Sequence, residues 1–210
     1  MYKILVVDDH AVVREGIKSI LAKQAGFRVT GEASSGQEAL KEAIHGDYDI
    51  VILDIRMPDR SGFDVLADLL KRKPALRVLV LSMVEEEQYA IRVLEMGGAG
   101  YLTKRTLPQD LVAALHKVGA GGNYLSPEIA ELLTHNVKHN QVVNPIEKLS
   151  NREFQIMCMI GSGKSISDIA SELVLSVQTI STFRRHILDK MGLKNNLEIM
   201  RYVLENHLEM

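Results

Sequence analysis

A chain of 210 residues, 46% hydrophobic and 25% charged, has the composition of an ordinary globular protein, long enough for one large domain or two small ones. Its net charge of −2 excludes a uniformly basic surface, so any nucleic-acid contact needs locally placed charge. No apolar run reaches the roughly 20 residues that span a bilayer. The single Cys158, set among Met157, Met159 and Ile160, allows no internal disulfide and no cysteine-rich metal site. The opening MYKILVVDDH turns acidic too soon for a secretory signal, which leaves a cytoplasmic location as the default expectation.

Residues 3–7 (KILVV) form an apolar run ending on Asp8-Asp9, and Val12, Val13, Ile17, Ile20 and Leu21 follow at helical spacing. This reads as a strand, an acidic turn and a helix. The pattern recurs, with strands at 27–33, 50–53, 76–81 and 101–102 and helices at 37–44, 62–72, near 86–96 and at 108–120. Five strands alternating with five helices indicate an α/β fold, a doubly wound parallel sheet with strand order 2-1-3-4-5. The run Ile50–Leu53 lacks any alternation, as expected of a strand covered on both faces, and it delivers Asp54 to the carboxyl edge where ligands collect.

Four of the five strands end on residues that converge there: Asp8 and Asp9, then Asp54, then Ser82, then Tyr101 and shortly after it Lys104. Taken singly, Asp9 is an ordinary helix N-cap, Ser82 and Tyr101 are strand ends and Lys104 is a surface lysine. Taken together, three carboxylates so close raise one another's pKa unless a cation or an ammonium neutralises them. Oxygen-only ligands favour Mg²⁺ over Zn²⁺, and Lys104 brings the opposing charge. The first turn reads D-D-H-A, without the glycines of a nucleotide-binding fingerprint.

Residues 1–120 resemble the receiver domain of two-component response regulators, through Asp8-Asp9, D-x-x-M-P-x-x-x-G from Asp54 to Gly62, Leu81-Ser82, and G-Y-L-T-K from Gly100 to Lys104. The resemblance implies a flavodoxin-like receiver in which Asp54 accepts a phosphoryl group from a sensor histidine kinase. It implies Mg²⁺ held by Asp8, Asp9, Asp54 and the backbone carbonyl of Arg56, with Lys104 and Ser82 meeting the phosphoryl oxygens and Tyr101 following Ser82 inward as a switch. It also implies no enzyme beyond Mg²⁺-dependent phosphorylation and dephosphorylation of the chain itself.

From Gly121 the pattern changes. Residues 122–147 read as a linker with a short helix at 127–134, and His135 and His139 stand at i, i+4 spacing without a third metal ligand. Residues 148–210 read as four helices: 152–161, introduced by Ser150 and Glu153 as a capping box, then 165–173, 176–191 closed by Gly192, and 196–207. The second and third have helix-turn-helix proportions. Expected domains are therefore 1–121, 122–147 and 148–210.

The last segment resembles the LuxR-type helix-turn-helix through L-S-x-R-E at Leu149–Glu153, D-I-A-x-x-L at Asp168–Leu173, S-x-x-T-I-S at Ser176–Ser181 and K-x-G-L-K-N at Lys190–Asn195. The whole chain is thus similar to response regulators of the NarL/FixJ type. Val177, Ile180, Ile187, Leu188 and Met191 fall at core-facing spacing, leaving Gln178, Thr179, Ser181, Thr182, Arg184 and Arg185 as candidate contacts to double-stranded promoter DNA. Many members carry Lys at the position of Ser181 and His at that of Phe183, so those contacts do not transfer. A homodimer on phosphorylation and RNA polymerase as a further partner complete the implied partners, with no membrane among them. A protein-interaction output without DNA, motivated by Ser181 and Phe183, and an aspartyl-phosphate hydrolase are the competing readings.

Overall fold

The computed structural model describes residues 1–83, 87–105, 108–126, 130, 145–206 and 208. The chain divides into two compact units, Met1–Thr134 and His135–Met210. In the first, strands β1 (Tyr2–Val7), β2 (Phe27–Ala33), β3 (Ile50–Leu53), β4 (Arg77–Ser82) and β5 (Gly100–Thr103) alternate with helices α1 (Ala11–Leu21), α2 (Gly36–His45), α3 (Gly62–Arg72), α4 (Glu87–Glu95) and α5 (Pro108–Gly119). The strands pair in parallel in the order β2-β1-β3-β4-β5-β6. The expected five-stranded order is present, and a sixth strand, β6 (Tyr124–Leu125), extends it beside β5. Those two residues fall in the stretch read as linker. A two-residue strand is too short to leave a hydrophobic period, and its pairing with Gly100 and Tyr101 is what defines it.

The sheet explains why the strands lack alternation. Ile4 and Val6, Ile50 and Ile52, Leu79 and Leu81, and Leu102 share one core with Ile17 and Leu21 of α1 and with Leu111, Leu115 and Val118 of α5. The intervening Leu5, Val7, Val51, Leu53, Val78, Val80 and Tyr101 are also buried, and by the two-residue period they face the opposite side. There the rings of Phe63 and Tyr89 lie 5.7 Å apart between centroids. Each such aliphatic side chain contributes about 1.5–3 kcal/mol on burial, which holds β1 and β3 side by side at the centre.

In the second unit a 3-10 turn (Pro145–Lys148) precedes α6 (Asn151–Gly161), α7 (Ile166–Glu172), α8 (Val177–Met191) and α9 (Asn196–Glu205). Each of these four helices starts on a side-chain cap: Ser150 with Glu153, Ser165 with Asp168, Ser176 with Thr179 and Asn195 with Glu198. Each cap is worth about 1 kcal/mol. Gly192, at φ 68°, closes α8 in the left-handed conformation. Phe154, Met157, Ile169, Ile180, Ile187, Ile199 and Val203 are buried together with Cys158. Val177, expected in this core, is instead 50% exposed; as the first residue of α8 it stands a turn before Ile180. The expected helix at 127–134, its neighbours His135 and His139, and the expected start of the fourth helix at Glu86 lie outside the described residues.

The connection after β3 folds back tightly. Gly62 N donates to Ile55 O at 2.9 Å, and a Cβ on Gly62 would stand 2.4 Å from Ile55 Cα and 2.5 Å from Asp54 O. Only a residue without a side chain allows α3 to start there. Gly62→Ala should therefore lower the stability of this unit by about 1–3 kcal/mol, read as a reduced urea midpoint; an unchanged midpoint would show that the loop accommodates a methyl group freely.

Candidate functional site

The carboxyl edge of the sheet gathers charge because β1 and β3 are neighbours and both run off into acids. Asp8 N donates to Ala33 O at 3.1 Å and Asp54 N to Val7 O at 2.9 Å, so the backbone itself sets the two carboxylates side by side. Both are almost fully buried, each 2% exposed. Lys104, arriving just after β5, places its Nζ 2.6 Å from Asp8 Oδ2 and 2.7 Å from Asp54 Oδ2. Its own N donates to Ser82 O at 2.7 Å, which ties the lysine turn to the end of β4. Arg56 N donates to Asp54 Oδ1 at 3.1 Å. Ser82 and Tyr101 are both fully buried, so Tyr101 is already inward.

Asp9 is not the N-cap of α1. That position is His10, whose side chain makes no capping bond. Asp9 remains partly exposed, with His10 Nδ1 at 2.7 Å. Two residues without a role in the sequence reading support the acidic turn. Arg14, a turn into α1, donates to Asp8 O at 2.7 Å and reaches Glu32 at 3.2 Å, while His10 completes a group in which one ligand atom each of Asp8, Asp9, His10 and Asp54 lie within 4.8 Å of one another. The signal for Arg14 was only its spacing from the acids, which is common on any helix.

Two buried carboxylates share one ammonium, and the electrostatics follow. Burial pushes the Asp54 carboxyl up; the Lys104 charge and hydrogen bond and the Arg56 N–H pull it down, and Asp8 repels, leaving it raised overall. Burial works against the Lys104 ammonium too, yet Asp54 and Asp8 outweigh it and hold its pKa above the usual lysine value. An acidic pocket of this kind, with oxygen donors converging on one point and charge left over, is a divalent-cation site in type.

In the second unit the candidate DNA-contacting residues divide. Gln178, Ser181 and Arg185 are exposed on α8, while Thr179, Thr182 and Arg184 are half-buried. Ser176 Oγ and Thr179 Oγ1 lie 2.7 Å apart, and Thr182 Oγ1 donates to Gln178 O at 3.1 Å. Arg184 Nε is bonded to Asn196 Oδ1 at the start of α9. On the other flank of α8, Lys190 Nζ reaches Glu153 at 2.6 Å and His186 approaches it at 3.6 Å.

An α/β sheet with this buried Asp-Lys-Asp group, followed by a capped helix-turn-helix, defines a response regulator. The chain belongs to that class: residues 4–116 match the response regulator receiver domain and residues 147–203 the luxR family of bacterial regulatory proteins. It is 36% identical over 200 residues to the response regulator GacA of Pseudomonas aeruginosa, covering 95% of this chain and 94% of the relative. It is 31% identical over 209 residues to the response regulator UvrY of Escherichia coli K12, covering 99% and 96%. The structure of the Salmonella typhimurium RcsB response regulator superposes with a TM-score of 0.71 at 23% identity, over 98% of each chain, and shares the fold.

A raised folded-state pKa means that the native chain binds the proton more tightly than the unfolded one, so the stability Asp54 contributes is full below its unfolded pKa and is lost as pH rises through the raised value. Lys104→Met removes the ammonium, sends Asp54 higher still and enlarges that loss. Urea midpoints measured from pH 4 to 8 should show a deficit relative to the parent that grows with pH; a deficit independent of pH would mean that Lys104 acts by packing alone.

Proposed function

We propose that Asp54 is the phosphoacceptor and that the chain works as a phosphorylation-controlled regulator of transcription in the cytoplasm. The observation that carries this reading is the buried Asp54 carboxylate beside Asp8 at the sheet edge, with the Lys104 ammonium bridging the two. Asp54 Oδ attacks the phosphorus of a histidine kinase's phosphohistidine; the O–P bond forms as the P–N bond breaks, and the imidazole leaves with the electron pair. Asp8, Asp9, Asp54 and the Arg56 carbonyl would hold Mg²⁺, whose oxygen-preferring chemistry fits this donor set and which would supply neutralising charge. Lys104 pairs with the phosphoryl oxygens, and the Ser82 hydroxyl donates to one of them. Tyr101, buried behind Ser82, carries the change toward α4 and α5. The chain's only chemistry is the formation and loss of its own phosphoryl group.

The division that goes with this is a receiver over 1–121, a connecting segment over 122–147 and a DNA-binding domain over 148–210. In the last, α8 enters the major groove of promoter DNA with Gln178, Ser181 and Arg185 outermost, and Thr179 and Thr182 beside them. Arg184 reaches DNA only by sharing or giving up its bond to Asn196. One cation at the centre of the helix makes a single copy bind weakly and with marked salt dependence, so a phosphorylation-driven dimer on two half-sites supplies the affinity.

Intact mass and light scattering of the chain with Mg²⁺ and a small-molecule phosphodonor test the switch. One added phosphoryl group with a shift to dimer is expected, both absent in Asp54→Ala; stoichiometric labelling of that variant would place the acceptor elsewhere. For DNA, Arg185→Ala should cost about 1–3 kcal/mol of binding in a gel-shift titration, whereas Arg184→Ala should act first on the urea midpoint of the second unit. Unchanged DNA binding by Arg185→Ala would remove this face of α8 from the groove.

A further inference from the structure

The turn between β1 and α1 carries more than acids. His10 holds the N-cap position without a side-chain cap, and its imidazole leans over the neighbouring carboxylates instead. Nδ1 stands 2.7 Å from Asp9 Oδ1 and 3.3 Å from Asp8 Oδ1, while the His10 N–H donates to the same Asp8 oxygen at 2.9 Å. Lys104 takes the other Asp8 oxygen, Oδ2, together with Asp54 Oδ2. The cluster therefore has a lysine side and an imidazole side, with Asp8 shared between them.

Around an ion with metal–ligand bonds of about 2.1 Å, neighbouring ligand atoms stand about 3.0–3.4 Å apart and opposite ones about 4.2 Å apart. The four ligand atoms lie within 4.8 Å of one another, a little wider than a bound ion needs, and the exposed imidazole has room to close in. We propose that His10 Nδ1 is a ligand of the divalent-cation site. The site then takes nitrogen-accepting transition ions such as Co²⁺ more tightly than its carboxylates alone would, while Mg²⁺, which keeps oxygen ligands and water, draws nothing from the imidazole. This rests on the reading of the pocket as a cation site given above. The ligand is an Nδ1 lone pair, with the ring hydrogen on Nε2, and the ion takes the place of the direct contact between His10 and Asp9 as the link between the two side chains.

Calorimetric titration of the full chain with Mg²⁺ and, separately, with Co²⁺ tests this, in the parent, His10→Ala and Asp9→Asn. Co²⁺ heats that saturating Mg²⁺ suppresses belong to this pocket and not to the other histidines. Expected is a loss of about tenfold or more in Co²⁺ affinity for His10→Ala with Mg²⁺ affinity within about twofold of the parent, and a loss of both ions for Asp9→Asn. Equal weakening of both ions by His10→Ala, or no change in either, would overturn the imidazole as a ligand while leaving the cation site standing. No Mg²⁺ binding by the parent would overturn the cation site itself and this inference with it. The side chain at position 10 is 67% exposed and caps nothing, and a parent-like urea midpoint for His10→Ala is the accompanying control.

Discussion

The ion group Asp8–Lys104–Asp54 is the interaction on which the first unit's purpose depends. Two carboxylates and an ammonium, each less than a tenth exposed at the side chain, sit where water would otherwise solvate them. Burying such charges costs more than the pair returns unless geometry and extra hydrogen bonds make up the difference. Here they do so only in part, through the Arg56 N–H on Asp54 and the His10 N–H on Asp8. The hydrophobic sheet supplies the rest. Its central strands are fixed by side chains on both faces, and the acids are continuations of those strands, so they separate only if the core does.

The second unit uses charge in a different way, to aim a helix. Glu153 on α6 grips Lys190 near the end of α8, and Asn196 on α9 holds Arg184 in its middle. Ile180 and Ile187 are buried between these points. The helix is thus held along two flanks, and the strip Gln178, Ser181, Arg185 is what remains outward. The turn that launches α8 is itself unusual, since Val174 is the one described non-glycine residue with a positive φ, at 51°. A β-branched residue there costs about 1–2 kcal/mol, a strain set against the buried contacts of α8.

Much of this was legible in the sequence, for identifiable physical reasons. Ile50–Leu53 announced a strand covered on both faces because burial on both sides removes alternation, and Ser150 with Glu153 announced a helix start because a capping box needs those types three apart. Asp8 and Asp54 could be paired because they follow neighbouring strands, and Lys104 joined to them because β5 ends at the same carboxyl edge of the sheet. The strand β6 could not be read, since backbone pairing alone creates it. Nor could Val177 be placed, because helical spacing gives a direction and not the distance along the axis at which the partner helix begins. Arg184 and Arg185 are identical as letters; which of them points outward is decided by Asn196, a residue that no local pattern connects to either.

Asp54 and Glu153 both expose almost none of their surface, yet the Asp54 carboxyl lies much deeper in the protein and the two come out with opposite properties. Glu153 is 3% exposed and Asp54 is 2% exposed, so desolvation raises both. For Glu153, the Lys190 hydrogen bond and charge and two hydrogen bonds from Ser150 more than offset that penalty, and its pKa ends below the ordinary value. For Asp54, one ammonium is divided with Asp8, whose charge adds to the penalty, and its pKa ends above it. Glu153 is therefore satisfied by the fold and has nothing to gain from a further ligand. Asp54 is stabilised by any cation brought to the cluster. Low surface exposure alone does not separate these two acids; how deeply the carboxyl lies and how many positive charges and donors it has to itself do, and by that measure Glu153 is satisfied as folded while Asp54 is not.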